Sequence, residues 1–279
     1  MNKLIIILLV LIFIFVLLNS CSIIKRTYKN EINQEISKYS YDDLGVFTVK
    51  DVENLPIAVQ NYFNYCGYIG NSKMINAKVE WDKFNLKLSP DRNWMKTHAL
   101  QMNFVPEPAR IVYMKTSLFK ILNFEGRDKF QNGYGSMQGR LINFIKIFDE
   151  ENAQMDQSAL VTVLSEALLV PSYALQDYIF WEEIDNNTVK ATIKYNNIEA
   201  SGNFYFNDEG MFYKFYTEDR FYSSGDINEL VPWVIYVDSY QIIDGIKIAE
   251  KVRASWILEN GEYQYFDGKI SNIIFNVKK

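Results

Sequence analysis

Between Thr188 and Val277 the chain alternates apolar and polar residues with a period of two, and short turn sequences interrupt the alternation. Val189, Ala191, Ile193 and Tyr195 fall on one face; Asn196-Asn197 reverses the chain; Ile198 to Phe206 returns; Asn207-Asp208-Glu209-Gly210 reverses it again. Met211 to Tyr222, Trp233 to Ile242, Ile246 to Leu258 and Glu262 to Val277 continue the pattern, with Asp244-Gly245 and Asn260-Gly261 between the later pairs. A period of two is what a half-buried strand requires, and Asn, Asp and Gly supply the positive φ of hairpin turns. Loops this short cannot join parallel neighbours, so this part of the chain is constrained to an antiparallel meander.

The same period appears earlier. Ile75, Ala77, Val79 and Trp81 alternate, then Phe84, Leu86 and Leu88, before a turn at Pro90-Asp91-Arg92-Asn93. Extended runs follow around Trp94 to Phe104 and Arg110 to Met114, and Asp128 to Met137 reads as strand containing glycines. Gly133, Gly135 and Gly139 lack the spacing of a phosphate loop, so they mark a bend or the close approach of another backbone. Two segments have helical spacing instead. Asn54-Leu55-Pro56 opens a helix carrying Val59, Tyr62 and Phe63 on one face and ending at Gly67 or Gly70. Leu160, Val163, Leu164, Ala167 and Leu168 form a second, with Asp156 as its cap and Pro171 as its stop. A sheet of this length has to curl or split. The expected fold is α+β and mostly antiparallel β: a strongly curved sheet or open barrel over residues 51–279, with a few helices covering the concave face. The aromatic content, 19 Tyr and 19 Phe, suits such a sheet.

The N-terminus carries a different signal. Met1-Asn2-Lys3 precedes an aliphatic run, Leu4 to Leu18, and then Asn19-Ser20-Cys21. A basic start, an apolar core and a small residue before a cut make a secretory signal. Leu18-Asn19-Ser20-Cys21 also resembles a bacterial lipobox, which implies cleavage before Cys21 and a thioether-linked diacylglycerol on it. The other reading keeps residues 4–24 as a membrane helix stopped by Lys25, Arg26 and Lys29, with the domain on the cytoplasmic face. Either way residues 1–20 are a signal peptide or anchor and residues 21–50, polar and mixed in charge, are a tether. The lipoprotein reading places the domain on the periplasmic or extracellular face of a bacterial cell envelope.

Little in the sequence points to catalysis. His98, in a strand-like run, is the only histidine, which leaves no His-rich metal site and no nucleophile elbow with a triad partner. Cys66 follows Tyr62, Phe63 and Tyr65 and reads as a small buried hydrophobe. A net charge of −5 with no basic cluster beyond Lys25-Arg26 argues against nucleic acid. Asp149-Glu150-Glu151 and Glu182-Glu183 read as solvated rims; a glycan hydrolase would need two separated carboxylates on one cleft. Glu166 differs. With Thr162 and Ser165 it forms the outer face of the helix in one reading; in the other, since it follows Leu164 by two positions, it stands at the edge of the buried stripe, where a carboxylate needs a partner. Arg140 is the first expected partner and Arg220 the second.

Leu55-Pro56, Val59-Gln60 and Tyr62-Phe63, then Asp128, Phe130, Gly133, Gly135, Met137 and Arg140-Leu141, then Leu164-Ser165-Glu166, Pro171-Ser172-Tyr173-Ala174-Leu175 and Trp181, then Gly202, Phe204, Phe206-Asn207, Gly210 and Pro232-Trp233 resemble, in that order, an uncharacterised bacterial family, a domain of unknown function. The resemblance spans most of residues 52–277. Members commonly carry an Arg near the start of the Leu-Ser-Glu motif, where this chain has Val161-Thr162-Val163. The shape the resemblance implies is similar to that of lipoprotein-localisation (Lol-type) carriers of acyl chains, a fold-level analogy. The expected function is therefore a membrane-anchored, non-enzymatic lipoprotein that binds a lipid or other hydrophobic small molecule in a curved β-sheet groove, with no cofactor and no metal. Its partners are the membrane, through a Cys21 lipid or an N-terminal helix, and the ligand. Glu166, Arg140, Arg220, Trp81, Trp94, Trp181, Trp233 and Trp256 are the candidate ligand-binding residues. The alternative is a cell-envelope glycan hydrolase using Glu166 or Glu183.

Overall fold

The structure, a computed structural model, describes residues 22–118, 122–224 and 227–278, with Lys3, Ile5 and Ile7. Cys21 and most of the apolar run before it lie outside the described residues. Helices α1 (Ile23–Ile36), α2 (Val49–Val52) and α3 (Ile57–Cys66) precede six strands: β1 (Asn76–Leu86), β2 (Met95–Phe104), β3 (Ala109–Leu118), β4 (Leu122–Gln131), β5 (Tyr134–Leu141) and β6 (Ile145–Glu150). Helix α4 (Ala153–Ser165) and a 3-10 turn (Pro171–Leu175) separate these from β7 (Ile179–Asp185), β8 (Thr188–Tyr195), β9 (Ile198–Phe206), β10 (Phe212–Thr217), β11 (Phe221–Ser224), β12 (Ile227–Leu230), β13 (Trp233–Ile243), β14 (Ile246–Leu258) and β15 (Gly261–Phe275).

Thirteen strands form one antiparallel sheet in the order β6-β5-β4-β3-β2-β1-β15-β14-β13-β10-β9-β8-β7, and β11 pairs only with β12. Two meanders, before and after α4, are joined by β1 and β15, where Ala77 faces Phe275 and Leu86 faces Phe266. The sheet keeps two free edges, β6 and β7, and does not close into a barrel. The hairpin turns fall where Asn, Asp and Gly predict them: Asn196, Asn197, Asp244 and Gly245 all have positive φ. Met211 to Tyr222 is not one strand. It breaks at Asp219, whose carboxylate accepts the Ser201 N–H at 2.7 Å and hydroxyl at 2.9 Å, so the chain leaves the sheet at Arg220.

The two alternations before Pro90 belong to one strand. Trp81 pairs with Ala99 and Phe84 with Thr97, so β1 carries an extra residue there. This bulge explains why the apolar positions change from odd to even: Trp81, Phe84 and Leu86 all line one face.

Strands β2 to β4 are two-faced. Arg110, Val112, Met114 and Thr116 on β3, and Phe124, Gly126 and Asp128 on β4, line an internal cavity. The alternate residues face α1, where Met102, Phe104, Ala109, Ile111 and Tyr113 pack against Ile24, Tyr28 and Ile36. Burying Ile24 and Ile36 contributes roughly 1.5–3 kcal/mol apiece. The polar residues of this layer are also paired: Arg127 and Lys129 with Glu31, Glu35 with Lys38 and Gln131, and Ser22 with Glu125. The first half of the segment expected to be a polar tether is thus a helix docked along β4, with Ser22 against Glu125 and Glu35 against Gln131.

Helix α4 is capped by Asn152, whose side chain accepts the Met155 N–H at 2.8 Å; Asp156, expected as the cap, instead accepts the Gly135 N–H at 2.6 Å. A Cβ at Gly135 would lie 2.3 Å from the Met155 carbonyl oxygen. The glycine is what allows the helix backbone to approach β5 this closely. The main core gathers Phe47, α3, α4 and the inner face of β8 to β15, with Tyr62, Phe63, Tyr68, Phe206 and Phe212 in edge-to-face and tilted ring contacts.

Candidate functional site

Helix α4 ends at Ser165, and Glu166 caps it with φ −94° and ψ 6°. The main chain turns there, so the Glu166 side chain points from the helix end onto β2 and β3. Arg110 Nε donates to its Oε1 at 2.9 Å; Asn103 Nδ2 and Gln101 Nε2 donate to its Oε2 at 2.7 and 2.9 Å. Arg110 Nη1 also donates to Asp128 Oδ2 at 2.7 Å. Gln101 in turn accepts from Trp81 Nε1 at 3.0 Å. Burial opposes the Arg110 charge, but Glu166 and Asp128 outweigh it and hold its pKa above the ordinary arginine value.

This network forms one wall of an internal cavity of about 810 Å³. The rest of the lining is mainly apolar and comes from both meanders: Phe84, Leu86 and Met114 from the first, Trp233, Ile235, Val252 and Phe266 from the second, with Met155 and Leu169 from the α4 region. Arg220 reaches the cavity from the β10–β11 connection. Its guanidinium lies 4.2 Å from the centre of the Trp233 ring and 5.6 Å from that of Trp256. Nη1 donates to the Ser158 carbonyl at 3.2 Å and to the Thr162 hydroxyl, both on α4. Its Nε has no hydrogen-bond partner, and no carboxylate pairs with it among the described residues. Burial lowers the Arg220 pKa from its ordinary value. An arginine therefore does arrive beside Thr162, from another element than the helix itself.

The expected residues divide accordingly. Glu166 has the arginine partner its position demands, but that partner is Arg110 rather than Arg140 or Arg220. Arg140 pairs with Glu125 across β4–β5, and Glu125 faces α1; the register places Arg140 on the face opposite the cavity. Trp81 and Trp233 line the cavity, and Trp256 packs behind Trp233 at 6.4 Å. Trp94 is exposed beside Lys87, 5.1 Å from its ring. Trp181 packs on Phe204 at 5.3 Å and lines a more open depression of about 940 Å³ beside the 3-10 turn, where Lys73 pairs with Asp51 and the Ser172 hydroxyl accepts the Met74 N–H at 2.7 Å. Glu183 is exposed on β7 and does not line the cavity. Cys66 is buried, and burial pushes its thiol up to about 12. Among the described residues no group of His, Cys, Asp and Glu could hold a metal ion, and no helix is long and apolar enough to cross a membrane.

Arg110 was legible in principle. It shares a parity with Val112 and Met114, so it is a charge on an otherwise apolar strand face. That signal is of the same kind that singled out Glu166.

Fold and site together define an α+β protein with a thirteen-stranded, open antiparallel sheet and an amphiphilic internal cavity. The chain belongs to a family of unknown function, DUF6544, which matches residues 45–268. Its structure is similar to that of a DUF1329 family protein from Desulfovibrio piger ATCC 29098, at 11% identity, covering 80% of this chain and 95% of that one with a TM-score of 0.44. It is also similar to a LolA superfamily protein from Nitrosomonas europaea, at 12% identity, covering 84% of this chain and 96% of that one with a TM-score of 0.42. Comparison with curated protein sequences returns no match.

Proposed function

We propose that the protein is a membrane-anchored, non-enzymatic component of the bacterial cell envelope that binds an amphiphile in the cavity, its apolar chain against the sheet and its anionic end on Arg220. The observation that carries this reading is the combination of a largely apolar cavity of about 810 Å³ with a buried guanidinium that has no carboxylate partner among the described residues. The volume lies within the roughly 300–1,000 Å³ typical of small-molecule sites. An unpaired buried cation is costly, and an anionic group is the ligand chemistry that would relieve it. The curvature such a groove needs is supported by α4, which packs against β4 and β5 on one side and β8 and β9 on the other.

The carboxylates argue against the hydrolase alternative. Glu166 and Asp128 are both held by one guanidinium, and both oxygens of Glu166 accept hydrogen bonds. That arrangement fixes the Glu166 carboxylate in place and leaves neither of its oxygens free to meet a leaving group. The anchor in this reading is Cys21, carrying a diacylglycerol. Replacing Cys21 by Ser should abolish labelling by a fatty-acid analogue; equal labelling of variant and wild type would remove Cys21 as the acylation site.

The cavity reading is tested by binding. A fluorescent fatty acid should bind the wild-type protein and be displaced by unlabelled fatty acid. Arg220→Met should weaken it about 10- to 100-fold, the worth of a hydrogen bond to a charged group. Equal affinity for a fatty acid and its uncharged alcohol would remove the role given to Arg220.

A further inference from the structure

The hairpins β1–β2 and β5–β6 end at the same end of the sheet, because Leu86 pairs with Met95, Thr97 with Thr116, Thr116 with Phe124 and Phe124 with Leu141. Their tips are about 20 Å apart at roughly 4.8 Å per strand. Leu88 and Trp94 stand at the first tip, and Phe144, Ile145 and Ile147 at the second; these five are between 41% and 69% exposed. Leu88 and Ile147 also line the cavity, so the exposed apolar residues form a rim continuous with its interior. An edge strand that exposes Ile145 and Ile147 on one face is an aggregation hazard unless something covers it.

The position of the chain's N-terminal segment says what covers it. Ser22 caps α1 and bonds to Glu125, three residues from the start of β4 and so about 10 Å from this end of the sheet. The residue before Ser22 is Cys21, and the fifteen-residue apolar run Leu4 to Leu18 ends three residues earlier. Helix α1 is docked through Ile24, Tyr28 and Ile36 and through the pairs of Glu31 and Glu35, so little slack separates the anchor from the domain. A lipid on Cys21 and a retained apolar helix both bring the bilayer to this point. Lys25 and Arg26 lie on the same N-terminal turn and Lys87 at the first hairpin tip, the charge that suits anionic headgroups; Lys146, at the second tip, is 3.6 Å from Asp149.

We propose that this rim is a bilayer-docking surface: the tips of β1–β2 and β5–β6 insert into the headgroup region beside the anchor and turn the mouth of the cavity to the membrane. The proposal rests on the reading that residues 1–21 reach a membrane, but not on any ligand in the cavity. Aromatic and aliphatic side chains flanked by lysines are the composition of the interfacial zone.

The test uses the full chain in vesicles of phosphatidylcholine and phosphatidylglycerol, made with or without brominated acyl chains. Ile145→Trp and Leu88→Trp each add an indole at the rim; Ile242→Trp adds one at a position 71% exposed near the opposite end of the sheet. The protein should float with the vesicles. Brominated chains should quench the added emission of Ile145→Trp and Leu88→Trp roughly by half and leave that of Ile242→Trp unchanged. Flotation with no quenching at either rim position, or with equal quenching at Ile242→Trp, would overturn the docking surface and leave the anchor intact. Failure to float would overturn the anchor itself, and the docking surface with it.

Discussion

Arg110 Nε lies 2.9 Å from Glu166 Oε1, joining the end of helix α4 to the start of strand β3 across 56 residues of sequence. Both side chains are largely buried, and the remaining donors and acceptors around them are matched by Asp128, Gln101 and Asn103. A pair of this kind need not make the fold more stable than an apolar one would. Its removal by halves is what costs, because the survivor is left charged and uncompensated.

Glu166→Ala should therefore lower the unfolding free energy by about 3–5 kcal/mol, and Arg110→Ala by a similar amount. The double variant should lose less than the sum of the two. Urea denaturation measures all three. A loss near 0.5 kcal/mol for Glu166→Ala, the size expected of a surface residue, would mean that the pair does not form.

Gly135→Ala places a methyl where the Met155 carbonyl stands, 2.3 Å away. Backbone on both sides leaves little room to yield, so a cost of about 1–3 kcal/mol is expected. Thermal unfolding should show a clear fall in Tm. Wild-type stability in this variant would mean that α4 does not press on β5.

Stability should be lost on the alkaline side. Burial raises the hydroxyls of Tyr62, Tyr68, Tyr173, Tyr178 and Tyr240 above the ordinary tyrosine value and pushes Cys66 up to about 12. Each of these groups is neutral when protonated, so the folded state holds its proton more tightly than the unfolded one. Their contribution is fully present below the unfolded values, about 8.5 for Cys and 10 for Tyr, and is lost as pH rises through the folded values. The urea midpoint should hold steady to about pH 8 and fall from there to pH 12. A midpoint that stays level to pH 11 would contradict the burial of these groups.

Much of this architecture is written in local sequence. The meander from Thr188 onward follows from alternation and from Asn196-Asn197 and Asp244-Gly245. The glycines after Asp128 are readable as a bend or a close approach within one strand; the structure instead reverses the chain at Asn132-Gly133 into the β4–β5 hairpin, and Gly135 is the close approach, to α4. The need of Glu166 for an arginine was readable from its place at the edge of an apolar stripe. Which arginine was not, because partner choice depends on strand pairing between distant segments. Arg140 has the wrong parity for the cavity, and that emerges only once β5 is registered against β4 and α1 is known to cover the other face. The pairing of β1 with β15 leaves no local trace either, since any two alternating strands offer the same backbone groups.

The amphiphile in the cavity is the point on which the functional account stands. Native mass spectrometry of the protein purified from cells, followed by organic extraction of whatever is bound, measures it directly. An anionic lipid or fatty acid should co-purify at one per chain and be lost from Arg220→Met. Protein that carries no amphiphile, and that takes up none when offered fatty acid or phospholipid in excess, would contradict it.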